Sequence, residues 1–213
     1  MIRVKICGIT RLRDAMAACA CGADALGFVF HDRSPRFISP DKASRIIRTL
    51  PPFVSSVGVF VDSSLDDILR LVTTCGLTAV QLHGVESPEF CRRIPVKVIK
   101  TFRVKSNRLP VGLSSYDVDA ILLDTFVQGV PGGTGRPFPW QLARAAAQYG
   151  RVILAGGLNA GNVVEAIEAA RPYGVDVSSG VEQTPGRKDL RLMKQFINRI
   201  KEYQKVSNPH GQE

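Results

Sequence analysis

The sequence has little that could hold a metal ion or a network of disulfide bonds. It contains only three histidines, and its five cysteines are an odd number without metal-ligand spacing. Two of the cysteines are two positions apart in a predicted helix, which places them on different faces. We therefore expect reduced thiols and no structural zinc. The cysteines are Cys7, Cys19, Cys21, Cys75 and Cys91.

Long apolar runs are also absent. None is long enough to span a bilayer, and the first residues, Met1–Cys7, alternate charged and apolar side chains as a strand does, unlike a signal peptide. We expect no membrane contact and a cytoplasmic location.

Acidic residues are fewer than basic ones, 19 against 28, so the net charge is +9. This excess favours a well-solvated surface or the steering of an anionic substrate. Nucleic-acid binding is disfavoured, because the basic residues are scattered and no aromatic-basic stripe accompanies them.

A regular alternation of short apolar segments and helical patterns runs through the chain and predicts parallel strands connected by helices. The first turn, Cys7–Thr10, is not the glycine-rich turn usual in open dinucleotide-binding sheets, so closure into a barrel is favoured. We predict an α/β protein with a single (β/α)8 TIM barrel over residues 1–206 and a frayed polar tail over 207–213. The predicted strands are Arg3–Ile6, Ala25–Phe30, Ser56–Val61, Ala79–Leu82, Val96–Phe102, Ala120–Leu123, Val152–Ala155 and Gly174–Val177.

The connection after the fifth strand departs from this pattern. Lys105–Val118 contains Pro110, Gly112 and paired serines, so the helix after strand 5 is expected to be weak or missing. A glycine-rich loop from Thr125 to Pro139 follows strand 6.

The ends of strands 7 and 8 carry small residues, Gly156-Gly157 and Ser178-Ser179-Gly180. Small residues let a ligand approach the backbone, and free N–H groups beyond them can bind an anion. In a (β/α)8 barrel these two strand ends form the usual phosphate site. The sequence therefore predicts an enzyme acting on a small phosphate ester.

Several reactive side chains follow other strands, where the active residues of such a barrel lie. Cys7 and Asp124 would flank the phosphate site and could serve as general base and general acid. A buried structural cysteine and a loop-capping aspartate are the alternatives. One of Arg33 and Arg36 could clamp a carboxylate, since guanidinium suits that geometry. The remaining strand-end side chains are His31, Asp32, Asp62 and His83, of which His83 is expected to order a loop rather than to catalyse.

Taken together, the motifs resemble the phosphoribosylanthranilate isomerases of tryptophan biosynthesis. The resemblance spans about Val4 to Lys201, and the opening motif and the strand 8 motif are its most specific parts. The motifs are Lys5–Thr10, Gly27–Phe30 with Ser34–Arg36, Val57–Phe60, Gln81–Gly84, Leu122–Asp124, Gly132–Gly135, Leu154–Leu158 and Asp176–Glu182.

The resemblance implies an Amadori rearrangement of N-(5-phosphoribosyl)anthranilate to the 1-deoxyribulose 5-phosphate. Asp124 would protonate the ribose ring oxygen, Cys7 would remove the C2 proton, and Arg36 would hold the anthranilate carboxylate. Asp176 would touch a sugar hydroxyl or support other residues from behind. The phosphate would be held by Gly156, Gly157, Ser179 and Gly180. The anthranilate nitrogen is itself the electron sink, so no cofactor is implied, and the chain could be a monomer or a homodimer.

Related barrel enzymes fit less well. Indole-glycerol-phosphate synthase would need a lysine and a glutamate at strand ends, a pentulose-phosphate epimerase would need paired histidine ligands, and an isomerase of the histidine pathway would have aspartate in place of Cys7. A catalytically silent phosphate-ligand sensor remains an alternative from another class, and it would have no reason to keep both Cys7 and Asp124.

Overall fold

A closed barrel of parallel strands organises the chain. The computed structural model describes residues 1–104, 108–124 and 140–207, and in it the first eight strands pair in chain order until the eighth meets the first. The predicted α/β barrel is therefore confirmed. The glycine-rich loop over 125–139, with its Gly132–Gly135 motif, and the tail over 208–213 lie outside the described residues. The barrel strands are β1 (Arg3–Cys7), β2 (Ala25–Val29), β3 (Ser55–Phe60), β4 (Ala79–Leu82), β5 (Lys97–Arg103), β6 (Ala120–Asp124), β7 (Val152–Ala155) and β8 (Gly174–Val177).

Helices follow all but one of the strands and cover the outside of the barrel. In the described part of the connection after β5, a single 3-10 turn over Leu113–Ser115 stands in place of a helix, as predicted. None of the helices in the described ranges is long and apolar enough to cross a membrane. The helices are α1 (Leu12–Cys21), α2 (Pro40–Ile47), α3 (Leu65–Cys75), α4 (Pro88–Arg92), α5 (Gln141–Ala146), α6 (Val163–Ala170) and α7 (Leu190–Ser207).

The two faces of each strand have different surroundings. On β1, Val4 and Ile6 belong to the large core between the barrel and its helices, whereas Lys5 and Cys7 point into the barrel. Phe196 of α7 is fully buried in the outer core, a burial that stabilises the fold by about 1.5–3 kcal/mol. Because side chains alternate along a strand, the polar side chains of β1 point into the barrel interior. A ligand at the C-terminal end of the strands can reach the last of them, Cys7.

A short hairpin between β8 and α7 was not predicted. It consists of β9 (Glu182–Thr184) and β10 (Arg187–Lys188), joined through Gly186 with a left-handed φ of 77°. Thr10 has a side chain suited to a helix N-cap, but its hydroxyl donates to the Gly186 carbonyl instead, and the N-cap of α1 is Arg11. The hairpin is thereby fastened over the C-terminal end of β1.

Candidate active site

The C-terminal mouth of the barrel contains a cavity of about 510 Å³. His31 also lines it, whereas Asp32, Arg33 and Asp62 do not. The predicted site residues in its wall are Cys7, Arg36, Asp124, Gly156, Gly157, Asp176 and Ser179.

A larger cavity, of about 740 Å³, lies at the opposite end of the barrel, lined by strand starts that include Arg3, Lys97 and Arg151. Its lining among the described residues includes neither a thiol nor an imidazole. Because catalysis in such barrels takes place at the C-terminal ends of the strands, the smaller cavity is the candidate active site.

Cys7 ends β1 and faces the cavity while only 9% of its surface is exposed. Burial raises the pKa of the Cys7 thiol above its ordinary value, and the Asp176 carboxylate adds to this, whereas the ammonium groups of Lys5 and Lys188 act in the opposite direction. A thiol at a helix N-terminus often has a lowered pKa, but α1 begins only at Leu12 and the pKa of Cys7 is raised instead. The thiol can act as a base only where the surrounding charges offset its burial.

Asp176 forms a buried ion pair with Lys5 inside the barrel. The two residues are register partners on β8 and β1, and Lys5 Nζ donates to Asp176 Oδ2 at 3.0 Å. The other carboxylate oxygen, Oδ1, is buried and finds no hydrogen-bond partner among the described residues. A buried unpaired acceptor is costly, so this oxygen suits a ligand that brings a donor, such as a hydroxyl.

Arg36 is held by the hairpin. Glu182 accepts from Arg36 Nε at 3.0 Å and from the terminal Nη2 at 2.6 Å, and it also accepts from Lys188 Nζ at 2.8 Å. The two cations hold the pKa of Glu182 below its ordinary value, although burial alone would raise it. Arg36 keeps 23% of its side chain exposed at the cavity, so its remaining N–H groups can bind a carboxylate in a fixed orientation.

Asp124 ends β6, with its carboxylate beside the imidazole of His83. His83 Nε2 lies 3.3 Å from Asp124 Oδ2, and Gln81 Nε2 lies 3.2 Å from His83 Nδ1. The glutamine amide can donate to Nδ1, and the neutral tautomer that accepts this bond would present its Nε2 proton to Asp124. His83 thus contacts a predicted catalytic carboxylate.

The loops after β7 and β8 meet at the cavity wall. Gly156 and Gly157 have left-handed φ values of 90° and 65°. Gly180 packs directly against the loop after β7: a Cβ atom added to Gly180 would overlap the carbonyl oxygen of Leu158. Within the described ranges, the amides of Gly157, Ser179 and Gly180 donate to no protein acceptor. The two loops thus present unpaired N–H groups side by side, as an anion site requires.

Sequence reasoning missed the residues that support the site from behind. In the sequence, Glu182 is only the last residue of a motif, and no pattern predicts a role for Lys188 or Lys5. The one sequence signal for Glu182 and Lys188 is the Pro185-Gly186 pair between them, which is typical of a turn. This turn brings β9 and β10 together. The partners that these charges choose depend on tertiary contacts between distant segments.

Comparison with known proteins gives one consistent family. A family model described as N-(5'phosphoribosyl)anthranilate (PRA) isomerase matches residues 4–199. The N-(5'-phosphoribosyl)anthranilate isomerase of Geobacter sp. (strain M21) is 52% identical over 201 residues, which cover 94% of this chain and 98% of that relative.

Solved structures give the same result. The phosphoribosyl anthranilate isomerase of Thermotoga maritima superposes with a TM-score of 0.88 at 47% identity, covering 95% of this chain and 100% of that one. A second structure, of a phosphoribosyl anthranilate isomerase in complex with reduced 1-(o-carboxyphenylamino)-1-deoxyribulose 5-phosphate, has a TM-score of 0.86 at 45% identity, with 95% and 100% coverage.

Proposed function

The chain belongs to the family of N-(5'-phosphoribosyl)anthranilate isomerases, and we propose that Cys7 and Asp124 carry out the proton transfers of its reaction. The protein is an isomerase of tryptophan biosynthesis that converts N-(5-phosphoribosyl)anthranilate to 1-(2-carboxyphenylamino)-1-deoxyribulose 5-phosphate. The observation that carries the proposal is that a thiol and a carboxyl group line one cavity next to a cradle of unpaired backbone amides.

The substrate's three recognition groups match three parts of the cavity. Its phosphate fits the amides of Gly157, Ser179 and Gly180, with Gly156 giving the loop its shape. Its anthranilate carboxylate fits Arg36, which Glu182 holds in one orientation. A ribose hydroxyl can donate to Asp176 Oδ1, the buried oxygen that lacks a partner in the described chain. Fixed at three points, the sugar spans the cavity between β6 and β1.

The reaction then needs two proton transfers. Asp124, in its protonated form and with its carboxyl group 3.3 Å from His83 Nε2, donates a proton to the ring oxygen as the nitrogen lone pair opens the ribose ring. The resulting iminium ion acidifies the C2–H bond. The Cys7 thiolate takes the C2 proton, and the C–H electron pair forms the enolamine double bond. As the enolamine tautomerises to the ketone, the Cys7 thiol gives a proton to C1, and the proton lost from the C2 hydroxyl restores Asp124 through solvent. Each transfer of this kind contributes about 10²–10⁴-fold to the rate.

Single substitutions separate the two roles. Cys7→Ser replaces the thiol with a hydroxyl of much higher pKa, so kcat should fall by about 10²–10⁴-fold with little change in folding. The matched control is Cys19→Ser, at a half-buried position on α1 away from the cavity, which should keep wild-type turnover. Wild-type turnover of the Cys7 variant would remove the thiol from the mechanism.

Asp124→Asn is isosteric but cannot donate a proton to the ring oxygen. We expect kcat to fall by about 10²–10⁴-fold while product affinity, measured by fluorescence titration, stays near the wild-type value. Asp119→Asn, in a pair with Lys97 at the opposite end of the barrel, is the control. Parallel loss of product affinity and turnover would make Asp124 a binding residue.

A further inference from the structure

Lys5 is a charged side chain inside the barrel, one inward-facing position below Cys7. It is 4% exposed, and barrel interiors of this kind are filled mostly by branched apolar residues. A buried ion pair is often no more stabilising than apolar residues of similar volume. The pair that Lys5 makes with Asp176 is therefore weak evidence for a purely structural role.

The ammonium and the thiol border the same small volume. On the neighbouring strand, Gly27 is the register partner of Cys7. A Cβ atom built on Gly27 would lie 2.7 Å from Cys7 Sγ and 3.1 Å from Lys5 Nζ. The missing side chain at Gly27 leaves this space open, so nothing in the described chain separates the two groups there.

Other charged groups also face the thiol, and most of them are paired with an opposite charge nearby. Lys188 of β10 acts on Cys7 from the hairpin side, but its Nζ lies 2.8 Å from Glu182. Arg36 is bound to Glu182 as well, and Asp124 with His83 lies elsewhere in the cavity wall. Asp176 opposes thiol ionisation and is bound to Lys5 through one oxygen only. Lys5 is thus the cation in the layer directly below the sulfur.

We infer that Lys5 is a positioning residue for the base: its ammonium is the counter-ion that stabilises the Cys7 thiolate. The inference rests on the proposed role of Cys7. The thiol loses its proton to water in the cavity before substrate binds, and Lys5 then shares its charge between Sγ and Asp176 Oδ2. A substrate hydroxyl that donates to Asp176 Oδ1 weakens the hold of Asp176 on Lys5, which leaves more of the positive charge to the thiolate. Substrate binding and base activation are coupled in this way.

The test is the pH dependence of iodoacetamide alkylation at Cys7, followed by mass spectrometry of its peptide in the folded, substrate-free protein. Lys5→Met should slow alkylation at pH 7.5 by about tenfold or more and move the titration to higher pH, because the thiolate loses its counter-ion. Asp176→Asn should accelerate alkylation and move the titration to lower pH. The Cys19 peptide serves as an internal control, and Lys97→Met, at the opposite end of the barrel, serves as the control variant.

Lys5→Met leaves Asp176 buried and unpaired, so it could fail to fold. The comparison of Asp176→Asn with the double variant Lys5→Met/Asp176→Asn then decides, because neither protein has an orphaned carboxylate. The double variant should alkylate about tenfold more slowly than Asp176→Asn. Equal alkylation titrations for these two proteins would overturn the inference and leave Lys5 as a structural partner of Asp176.

The alkylation experiment involves no turnover, so it distinguishes failure of this inference from failure of the proposed function. An active Cys7→Ser enzyme would refute the role of the thiol in catalysis whatever Lys5 does to its ionisation. If both hold, the kcat/KM profile of Lys5→Met should move to higher pH and approach the wild-type plateau in alkali. A uniform loss of kcat/KM at all pH values would instead indicate structural damage.

Discussion

Replacing Glu182 with glutamine removes the carboxylate that organises the hairpin side of the cavity. Its two oxygens accept from Arg36 and Lys188 and also from the Gly186 amide at 3.2 Å. Glu182→Gln keeps the size of the side chain and one acceptor oxygen, but it leaves two cations without an anion. The change should therefore reduce both the stability of the protein and the order of Arg36.

The loss of stability in Glu182→Gln can be estimated from how deeply the charged side chains are buried. The side chains of Lys188 and Glu182 are 0% and 4% exposed, and removing one partner of a buried ion pair costs about 3–5 kcal/mol. Arg36 is 23% exposed and can regain water, so the lower end, about 3 kcal/mol, applies. For a chain of this length each kcal/mol lowers Tm by about 2–4 °C, which gives about 6–12 °C.

The stability contributed by the Glu182 carboxylate should decrease as the pH falls. The pKa of Glu182 is lowered in the folded state by Arg36 and Lys188, even though burial alone would raise it. Such a carboxylate stabilises the folded state fully above its unfolded pKa of about 4.3, and the contribution is lost as pH falls through the folded pKa. The stability difference between wild type and Glu182→Gln should be full above about pH 5, as long as Lys188 stays charged, and should shrink in more acidic solution.

Urea unfolding at several pH values measures this difference, with Glu202→Gln on the exposed surface of α7 as the control. In the same preparations, KM should rise about tenfold or more with a smaller change in kcat, because a loosened Arg36 holds the substrate carboxylate less well. A Glu182→Gln protein with wild-type stability and KM would show that the hairpin does not position Arg36, and the reasoning would be refuted.

The barrel was predictable because its signals are local. Each strand is a short apolar run, and the end of each run identifies a position at the mouth once the sheet is closed. Cys7, Asp124 and Gly157 were found in this way, and all three line one cavity. The weak helix after β5 was also readable, since Pro110 and Gly112 oppose a regular helix.

The charges behind the cavity were not predictable in the same way. Lys5 lies in the middle of a strand, and its partner Asp176 is 171 positions away in the chain. Glu182 and Arg36 are 146 positions apart. No spacing rule connects such residues, because their contact depends on β8 closing against β1 and on the hairpin folding over the barrel mouth. The ionisation of Cys7 depends on the same distant contacts, with Asp176 and Lys188, so the residues next to it in the chain do not determine its direction.

Two further predictions concern the base and the anion site. Because burial raises the pKa of the Cys7 thiol, the thiolate fraction is small at neutral pH, so kcat/KM should increase with pH from about 6 to about 9, by up to tenfold per unit; a flat profile over this range would mean that Cys7 ionisation does not limit the reaction. Gly180→Ala would place a Cβ atom on the Leu158 carbonyl and force the β7 and β8 loops apart. Since the amides of both loops must converge on one phosphate, KM and the Kd of inorganic phosphate should each rise about tenfold or more, while kcat changes less. Gly112→Ala is the control, because Gly112 has a left-handed φ of 83° and no atom within 4 Å of the added Cβ. It should cost about 1 kcal/mol of stability without changing phosphate affinity. Unaltered phosphate affinity in a folded Gly180→Ala protein would place the phosphate elsewhere in the cavity and remove the anchor from which the positions of the acid and the base are argued.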